Sequence, residues 1–272
     1  MIQDLGEKKL DNQFRNCRAE DDDYVFCFDG AEFALNENNG RFSVPRAMDF
    51  RESRLQYLFS IDDDRYFLAV GESIPEGFVR KTFREVRTLG SLELAFASAT
   101  AYHLYQWYRD NQFCGRCGKP LHHSSIERML HCDECGNSVY PKIAPAVIVG
   151  VTDGDRILMS KYSGRDYTRY ALIAGFTEIG ETAEETVARE VMEEVGLKVK
   201  NIRYYKSQPW GSECDLLLGF YCDLDGDDKI TIDENELSEA EWFHRDEMNV
   251  EDDGISLTRA MMTAFKERKH PL

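Results

Sequence analysis

Chemistry is densest in two stretches of the 272-residue sequence. The first, GFTEIGETAEETVAREVMEEVGL from Gly175 to Leu197, carries seven glutamates. On a helix turning ~100° per residue, with Glu190 at zero, Glu194 falls near ~40° and Glu193 near ~60° on the other side. The expected packing arc holds Ala188, Val191, Met192 and Val195. Carboxylates on one arc repel each other, and no basic stripe beside them offsets the charge. A divalent ion would. Hard oxygen donors and clustered negative charge suit Mg2+ or Mn2+ better than zinc. The competing reading is a solvated acidic face, common in a chain with 50 acidic residues. The second stretch is FCGRCGKPLHHSSIERMLHCDECGNSVYPKIAP, where Cys114 and Cys117 are followed, after fourteen residues, by Cys132 and Cys135. A CxxC turn followed by glycine aims two thiolates at one point and frees backbone amides for the sulfurs, so two such turns make a tetrahedral zinc site. Four thiolates leave no open position, which makes this Zn2+ structural. His122, His123 and His131 lie nearby and can be read as alternative ligands, but with four cysteines available they are expected to be surface residues.

The elements that must position these groups follow from periodicity. Up to about Gly90, the runs DYVFCF, AEFALN, RFSVP, LQYLFSI and RYFLAVGE alternate between acidic or Gly and Asn turns, which predicts an antiparallel β domain. LELAFASATAYHLYQWYRDN, from Leu92 to Asn111, has helical spacing and neither Gly nor Pro, and reads as a linking helix. After the cysteines, AVIVGV and RILMSKY around TDGD predict a hairpin, and RYALIAG a short strand leading into the acidic stretch. Thr182 with Glu185 three residues on is a capping box that starts a helix, and Gly196 is its stop. KNIRYYKSQPW, DLLLGFYCDL, KITID and AEWFHRDE read as further strands, and ISLTRAMMTAFKERK as a closing helix. The fold class is α+β, with segments 1–110, 111–142 and 143–272.

Composition sets bounds. A formal charge of −17 argues against long nucleic-acid backbones as a bulk partner, though a bound divalent ion can reverse the local field for a small phosphorylated substrate. No apolar run approaches a membrane span, and the start MIQDLGEKKLDNQF does not look like a signal peptide, so the expectation is a cytoplasmic protein without a membrane partner. The four other cysteines, Cys17, Cys27, Cys214 and Cys222, show no paired spacing, in keeping with a reducing compartment.

The acidic stretch also resembles a known motif. Gly175, Glu181, Arg189, Glu190, Val191, Glu193, Glu194, Gly196 and Leu197 match every fixed position of the Nudix hydrolase box. The resemblance implies a C-terminal α/β/α sandwich with a mixed sheet, hydrolysis of a nucleoside diphosphate linked to another moiety, and metal ligation by Glu190, Glu193 and Glu194. Glu193, Glu194 and Arg189 are the expected catalytic residues, with Arg189 orienting a box carboxylate or loop carbonyl. A four-cysteine ribbon directly before such a domain, together with YPKIAP, AGF and SQPW, resembles the NADH pyrophosphatase family from about Leu92 onward. That resemblance implies cleavage of NADH or NAD+ to nicotinamide mononucleotide and AMP, extending to NAD caps on RNA, in a homodimer whose chains both build the site. It suggests Tyr140 and Phe176 as aromatic walls, Ala174 as a backbone contact, Gln208 to Asp215 as a binding loop, Glu236 as an additional metal or substrate carboxylate, and Thr258 near the closing helix. The loop comprises Gln208, Pro209, Trp210, Gly211, Ser212, Glu213, Cys214 and Asp215; from Gly211 it departs from the family's Pro-Phe-Pro run. The departure keeps open a Nudix enzyme for ADP-ribose, diadenosine polyphosphates or another nucleotide derivative; a non-catalytic nucleotide-sensing regulator is a separate alternative, against which the intact box counts.

Overall fold

The computed structural model describes residues 1–71, 73–89, 91–164 and 168–271. Glu72, which ends RYFLAVGE, and the expected boundary residues Gly90 and Leu272 lie outside the described residues. The chain forms two compact units. One comprises Ile2–Lys142 with Gly211–Cys214, and the other Met1, Ile143–Trp210 and Asp215–Leu272.

In the first unit, β1 (Leu10–Asp11), β2 (Tyr24–Phe26), β3 (Phe28–Asp29), β4 (Glu32–Asn38), β5 (Arg41–Ser43), β6 (Leu55–Ile61), β7 (Asp64–Ala69) and β8 (Val79–Thr82) make two sheets. Their shared aromatic and β-branched core includes Val25, Tyr57, Phe67 and Ile74. The pairing is antiparallel except that β2 runs parallel to β7. Strand β8 is followed by a short helix, α1 (Phe83–Leu89), inside a region expected to be all strand. Helix α2 (Leu92–Asp110) starts where Ser91 Oγ accepts the Leu94 amide. The ribbon strands β9 (His122–His123), β10 (Leu130–His131) and β11 (Ser138–Val139) form a three-stranded antiparallel sheet.

The second unit is built on a mixed sheet. Its strands are β12 (Ala144–Asp153), β13 (Arg156–Tyr162), β14 (Ile173–Phe176), β15 (Val199–Trp210), β16 (Asp215–Leu224) and β17 (Leu237–His244), in the order β15-β16-β12-β13-β17 with β14 also paired to β12. β12 lies parallel to β16 and antiparallel to β13 and β14. Period-two alternation sorts the side chains to two faces. Val147, Val149, Val151, Leu158 and Cys222 join Val187, Val191 and Val195 of α3 (Ala183–Val195) in one core. Ile148, Ile157, Met159 and Tyr221 join Leu257, Met261 and Phe265 of α4 (Leu257–Lys266) in another. Helices therefore cover both faces, giving the α/β/α sandwich.

Two expectations are corrected here. KITID is not a strand: Thr231 N–H donates to Val195 O at 2.9 Å and Asp233 N–H to Glu194 O at 2.9 Å, so this segment satisfies the last carbonyls of α3 rather than a sheet edge. The packing face of α3 is centred on Val187 and Val191, while Ala188 and Met192 are exposed. That rotation carries Glu190 and Glu194 to the buried margin and leaves Glu193 on the solvent side. Among the described residues, no helix is long and apolar enough to cross a membrane.

Candidate active site and metal centres

The capping box at the start of α3 forms as its residue types require. Thr182 Oγ1 accepts the Glu185 amide at 3.2 Å, and the Glu185 carboxylate accepts the Thr182 amide at 2.8 Å. At the other end Gly196 adopts a left-handed φ of 70°, donating its N–H to Met192 O. Both ends of the glutamate-bearing helix are thereby fixed.

Arg189 is the hub of the acidic cluster. Its Nε and Nη2 donate to the two oxygens of Glu181 at 2.6 and 2.9 Å, a bidentate pair. Nη1 donates to Glu190 at 2.8 Å and Glu193 at 2.9 Å, and Nη2 also reaches Phe176 O at 2.9 Å. One guanidinium thus ties the loop, the end of β14 and two turns of α3 together. The Arg189 hydrogen bonds, helped by the Glu178 amide and Thr186 Oγ1, hold the Glu181 carboxyl down at about 2. Burial pushes Glu190 the other way, above the ordinary carboxylate value; Arg189 opposes that shift, and the charges of Glu193 and Glu236 add to it. Glu190 is 8% and Glu194 2% exposed.

Gly175 explains itself through Glu190. A Cβ on Gly175 would lie 2.0 Å from the Glu190 carboxyl carbon, so the carboxylate occupies the space of the missing side chain. A cradle of this kind, with oxygen donors only and one cation among several carboxylates, fits a Mg2+ or Mn2+ ion held by Glu190, Glu193 and Glu194. Glu236 is exposed and lies in the segment that closes α3; its backbone amide donates to Asp233 O and its carbonyl accepts the Ser163 amide. Its charge reaches Glu190.

The remaining expected residues fall into distinct settings. Phe176 ends β14 and is 55% exposed, and Ala174 packs beside the α4-side core. Thr258 lies half-buried in the first turn of α4. Gln208 is fully buried: its Nε2 donates to Ile255 O at 2.7 Å and its Oε1 accepts the Leu257 amide at 2.7 Å. The side chain thereby secures the start of α4. Pro209 is exposed, and Trp210 and Asp215 are paired opposite each other where β15 turns to β16. Gly211, Ser212, Glu213 and Cys214 belong to the first unit, where a Cβ on Gly211 would meet Ala99 O at 2.1 Å. Gln106 Nε2 faces Ser212 O at 3.5 Å and Cys214 Sγ at 3.3 Å. The sequence that replaces Pro-Phe-Pro is thus shaped to lie close on α2. Tyr140, also in that unit, is exposed and donates to Glu127 at 3.3 Å. Thr186, missed in the sequence, supports Glu181; only its place on the buried side of α3 hints at that contact.

In the ribbon, two knuckles repeat one geometry. Gly118 and Gly136 have φ of 72° and 70° and donate to Cys114 O and Cys132 O at 2.8 and 2.9 Å. The four sulfurs lie within 4.8 Å of one another, with Cys114 and Cys135 3.6 Å apart and Cys117 and Cys132 3.4 Å apart. Tetrahedral bonds of ~2.3 Å separate sulfurs by about 3.8 Å, so the donor set fits Zn2+. The Arg116 and Cys117 amides draw the Cys114 thiol down to about 6, toward the thiolate a metal needs. All eight cysteines are free of disulfides.

Comparison with known proteins agrees with this architecture. Residues 142–265 match the NUDIX domain, which is the class that the sandwich and its carboxylate helix define. Residues 109–140 match the NADH pyrophosphatase zinc ribbon domain. Over these two segments the chain is similar to the Nudix domain and to the zinc ribbon domain of NADH pyrophosphatases. It is similar to a NAD-capped RNA hydrolase NudC of Enterobacter sp. (strain 638), 46% identical over 145 residues, which cover 53% of this chain and 56% of the relative. The protein of the same name from Photorhabdus laumondii is 43% identical over 145 residues, with the same coverage of 53% and 56%. The chain thus spans about half the length of the curated relatives it matches. A NUDIX hydrolase crystal structure from Nitrosomonas europaea shares the fold at a TM-score of 0.50 and 22% identity, covering 58% of this chain and 92% of that one.

Proposed function

We propose that the protein hydrolyses the pyrophosphate bond of NADH or NAD+ to nicotinamide mononucleotide and AMP, and by the same cleavage removes NAD caps from RNA. The observation that carries this reading is the Arg189-centred carboxylate cluster in a chain that also has the NADH pyrophosphatase zinc ribbon. Relatives named NAD-capped RNA hydrolase support the choice of substrate.

A divalent ion held by Glu190, Glu193 and Glu194 would neutralise pyrophosphate oxygens and make bound water a usable nucleophile near neutral pH. The chain's own residues do the positioning. Arg189 keeps Glu181 ionised and the Glu190 and Glu193 carboxylates aimed along one side of α3. Gly175 leaves room for Glu190, and Glu236 adds charge beside it. The exposed Phe176 ring is a platform for a flat base, a contact worth ~1–3 kcal/mol. Tyr140 and Thr258 are assigned to substrate contact and Gln208 to Asp215 to the binding loop, with the Gln208 amide tying the start of that loop to the start of α4. The active form is a homodimer in the cytoplasm, with no membrane partner, and 1–110, 111–142 and 143–272 are its functional segments.

The test compares NADH, NAD+, ADP-ribose and NAD-capped RNA with one preparation in Mg2+ or Mn2+, identifying products by mass. Nicotinamide mononucleotide and AMP from NADH are expected. Ready cleavage of ADP-ribose with NADH left intact would overturn the substrate; nucleotide binding without turnover of any of the four would overturn the enzyme assignment.

A further inference from the structure

The ribbon carries a second set of metal-ligand side chains on its sheet. His122 and His131 are directly opposite each other in the antiparallel pairing of β9 and β10. Directly opposed residues project from the same face with Cβ atoms ~4.5–5.5 Å apart. Their rings follow, with centroids 6.1 Å apart. Both turn the same nitrogen to one acceptor: His131 Nε2 lies 3.0 Å from Asp133 Oδ1, and His122 Nε2 lies 3.6 Å from Asp133 Oδ2. The three side chains remain open to solvent, at 57% for His122, 37% for His131 and 71% for Asp133.

We propose that His122, His131 and Asp133 form a second, solvent-facing site for a divalent transition-metal ion, separate from the four-cysteine zinc. Ligand atoms about 2.1 Å from a shared ion, at the angles of tetrahedral or octahedral coordination, are ~3.0–3.4 Å apart. The two contacts reach different oxygens of Asp133, so the side chains must rotate to bring the three donors onto one ion; among the described residues only the four cysteines already lie within 4.8 Å of one another. Two imidazoles and a carboxylate select zinc, nickel, cobalt or copper over magnesium, and leave positions for water or a further ligand. The backbone supplies the preorganisation: the hairpin register sets the two histidines, and Asp133 opens the second cysteine knuckle between Cys132 and Glu134.

The test uses the zinc-loaded full chain, dialysed to equilibrium against Ni2+ in excess Mg2+, so that the oxygen-donor sites of α3 stay filled with magnesium. Nickel and zinc are then counted per chain. The wild-type chain is expected to hold one more equivalent of Ni2+ than His122→Asn/His131→Asn, with one zinc retained in both. Asp133→Asn should weaken that nickel by ~10-fold or more, as loss of a ligand does. Equal nickel in the wild-type and double variant would overturn the site. Should the double variant also lose zinc, the exposed single change His122→Asn decides: unchanged nickel with zinc retained overturns the proposal, and lost nickel with zinc retained supports it.

Discussion

The four ribbon sulfurs already lie within 4.8 Å of one another, whereas among the described residues the carboxylates of α3 make no such group. Arg189 stands between them and is bonded to Glu181, Glu190 and Glu193. The contrast follows from what each ligand set costs to assemble. Thiols can approach as neutral groups, and two short turns with glycine knuckles fix their backbone. Carboxylates at neutral pH repel, and burial of Glu190 makes its charge costlier still. A guanidinium holds them in order, and an ion must engage carboxylates that already have a cationic partner. The ribbon sulfurs are thus brought together by the backbone itself, whereas the α3 carboxylates are ordered by Arg189.

The largest effect should come from breaking the ribbon. Structural zinc contributes ~10–16 kcal/mol in isolated zinc-finger peptides, so Cys132→Ser should release zinc and unfold the segment from Cys114 to Cys135. Zinc content by mass spectrometry and hydrogen exchange across the ribbon would check this; retained zinc with native protection would refute it. On α3 the corresponding change should spare the fold and stop the chemistry. Glu194→Gln keeps the volume of a side chain that is 2% exposed, and turnover should fall by ~10²-fold or more with little change in thermal stability. Unchanged turnover would remove Glu194 from the reaction.

Two smaller changes probe how the α3 site is held. Gly175→Ala places a methyl 2.0 Å from the Glu190 carboxyl carbon, so Glu190 must turn away, costing ~1–3 kcal/mol in stability and most of the metal-dependent activity. Full activity with normal Mg2+ dependence would show that Glu190 is dispensable as a ligand. Gln208→Ala would leave the Leu257 amide and the Ile255 carbonyl without their side-chain partner, for ~1–3 kcal/mol. Increased hydrogen exchange at the start of α4 is expected; no change there would mean that Gln208 is not what secures it.

What could be read from the sequence was local. CxxCG spacing, the Thr182–Glu185 box, the Gly196 stop and the nine positions of the glutamate motif each depend on residues a few places apart, and the structure builds them as turns and caps. What escaped depends on distant partners. KITID alternates like a strand, yet its amides go to Val195 and Glu194 because α3 ends with unsatisfied carbonyls beside it. The wheel placed Ala188 and Met192 inward because it weighed apolar character without knowing that Val187 would set the contact with β12. Gln208 lies in the SQPW run that begins at Ser207, and only the position of α4 shows that both ends of its amide bond to Ile255 and Leu257. Gly175 was recognised as a motif position, but its reason is the carboxylate of Glu190 fifteen residues away.

The smallest predicted effect asks whether acid destabilises the Nudix unit itself or acts only through the ribbon thiolates. His270 packs between Tyr221 and Phe265, with ring centroids at 5.2 and 5.0 Å. Burial, reinforced by the charges of Arg245 and Arg203, pulls its imidazole below the ordinary value. An unfolded chain carries the ordinary histidine, at ~6.5. As pH falls below that value the unfolded chain takes up a proton that the folded ring resists, so stability present above ~6.5 is lost as pH drops toward the folded value. His270→Phe removes this linkage while keeping a ring against Tyr221. Hydrogen exchange in α4 should accelerate less between pH 7.5 and pH 5.5 in the variant than in the wild-type chain. Zinc loss from the ribbon is common to both proteins and cancels in that difference. Identical acid responses in α4 would mean that His270 takes no part, and would return the pH dependence to the cysteines.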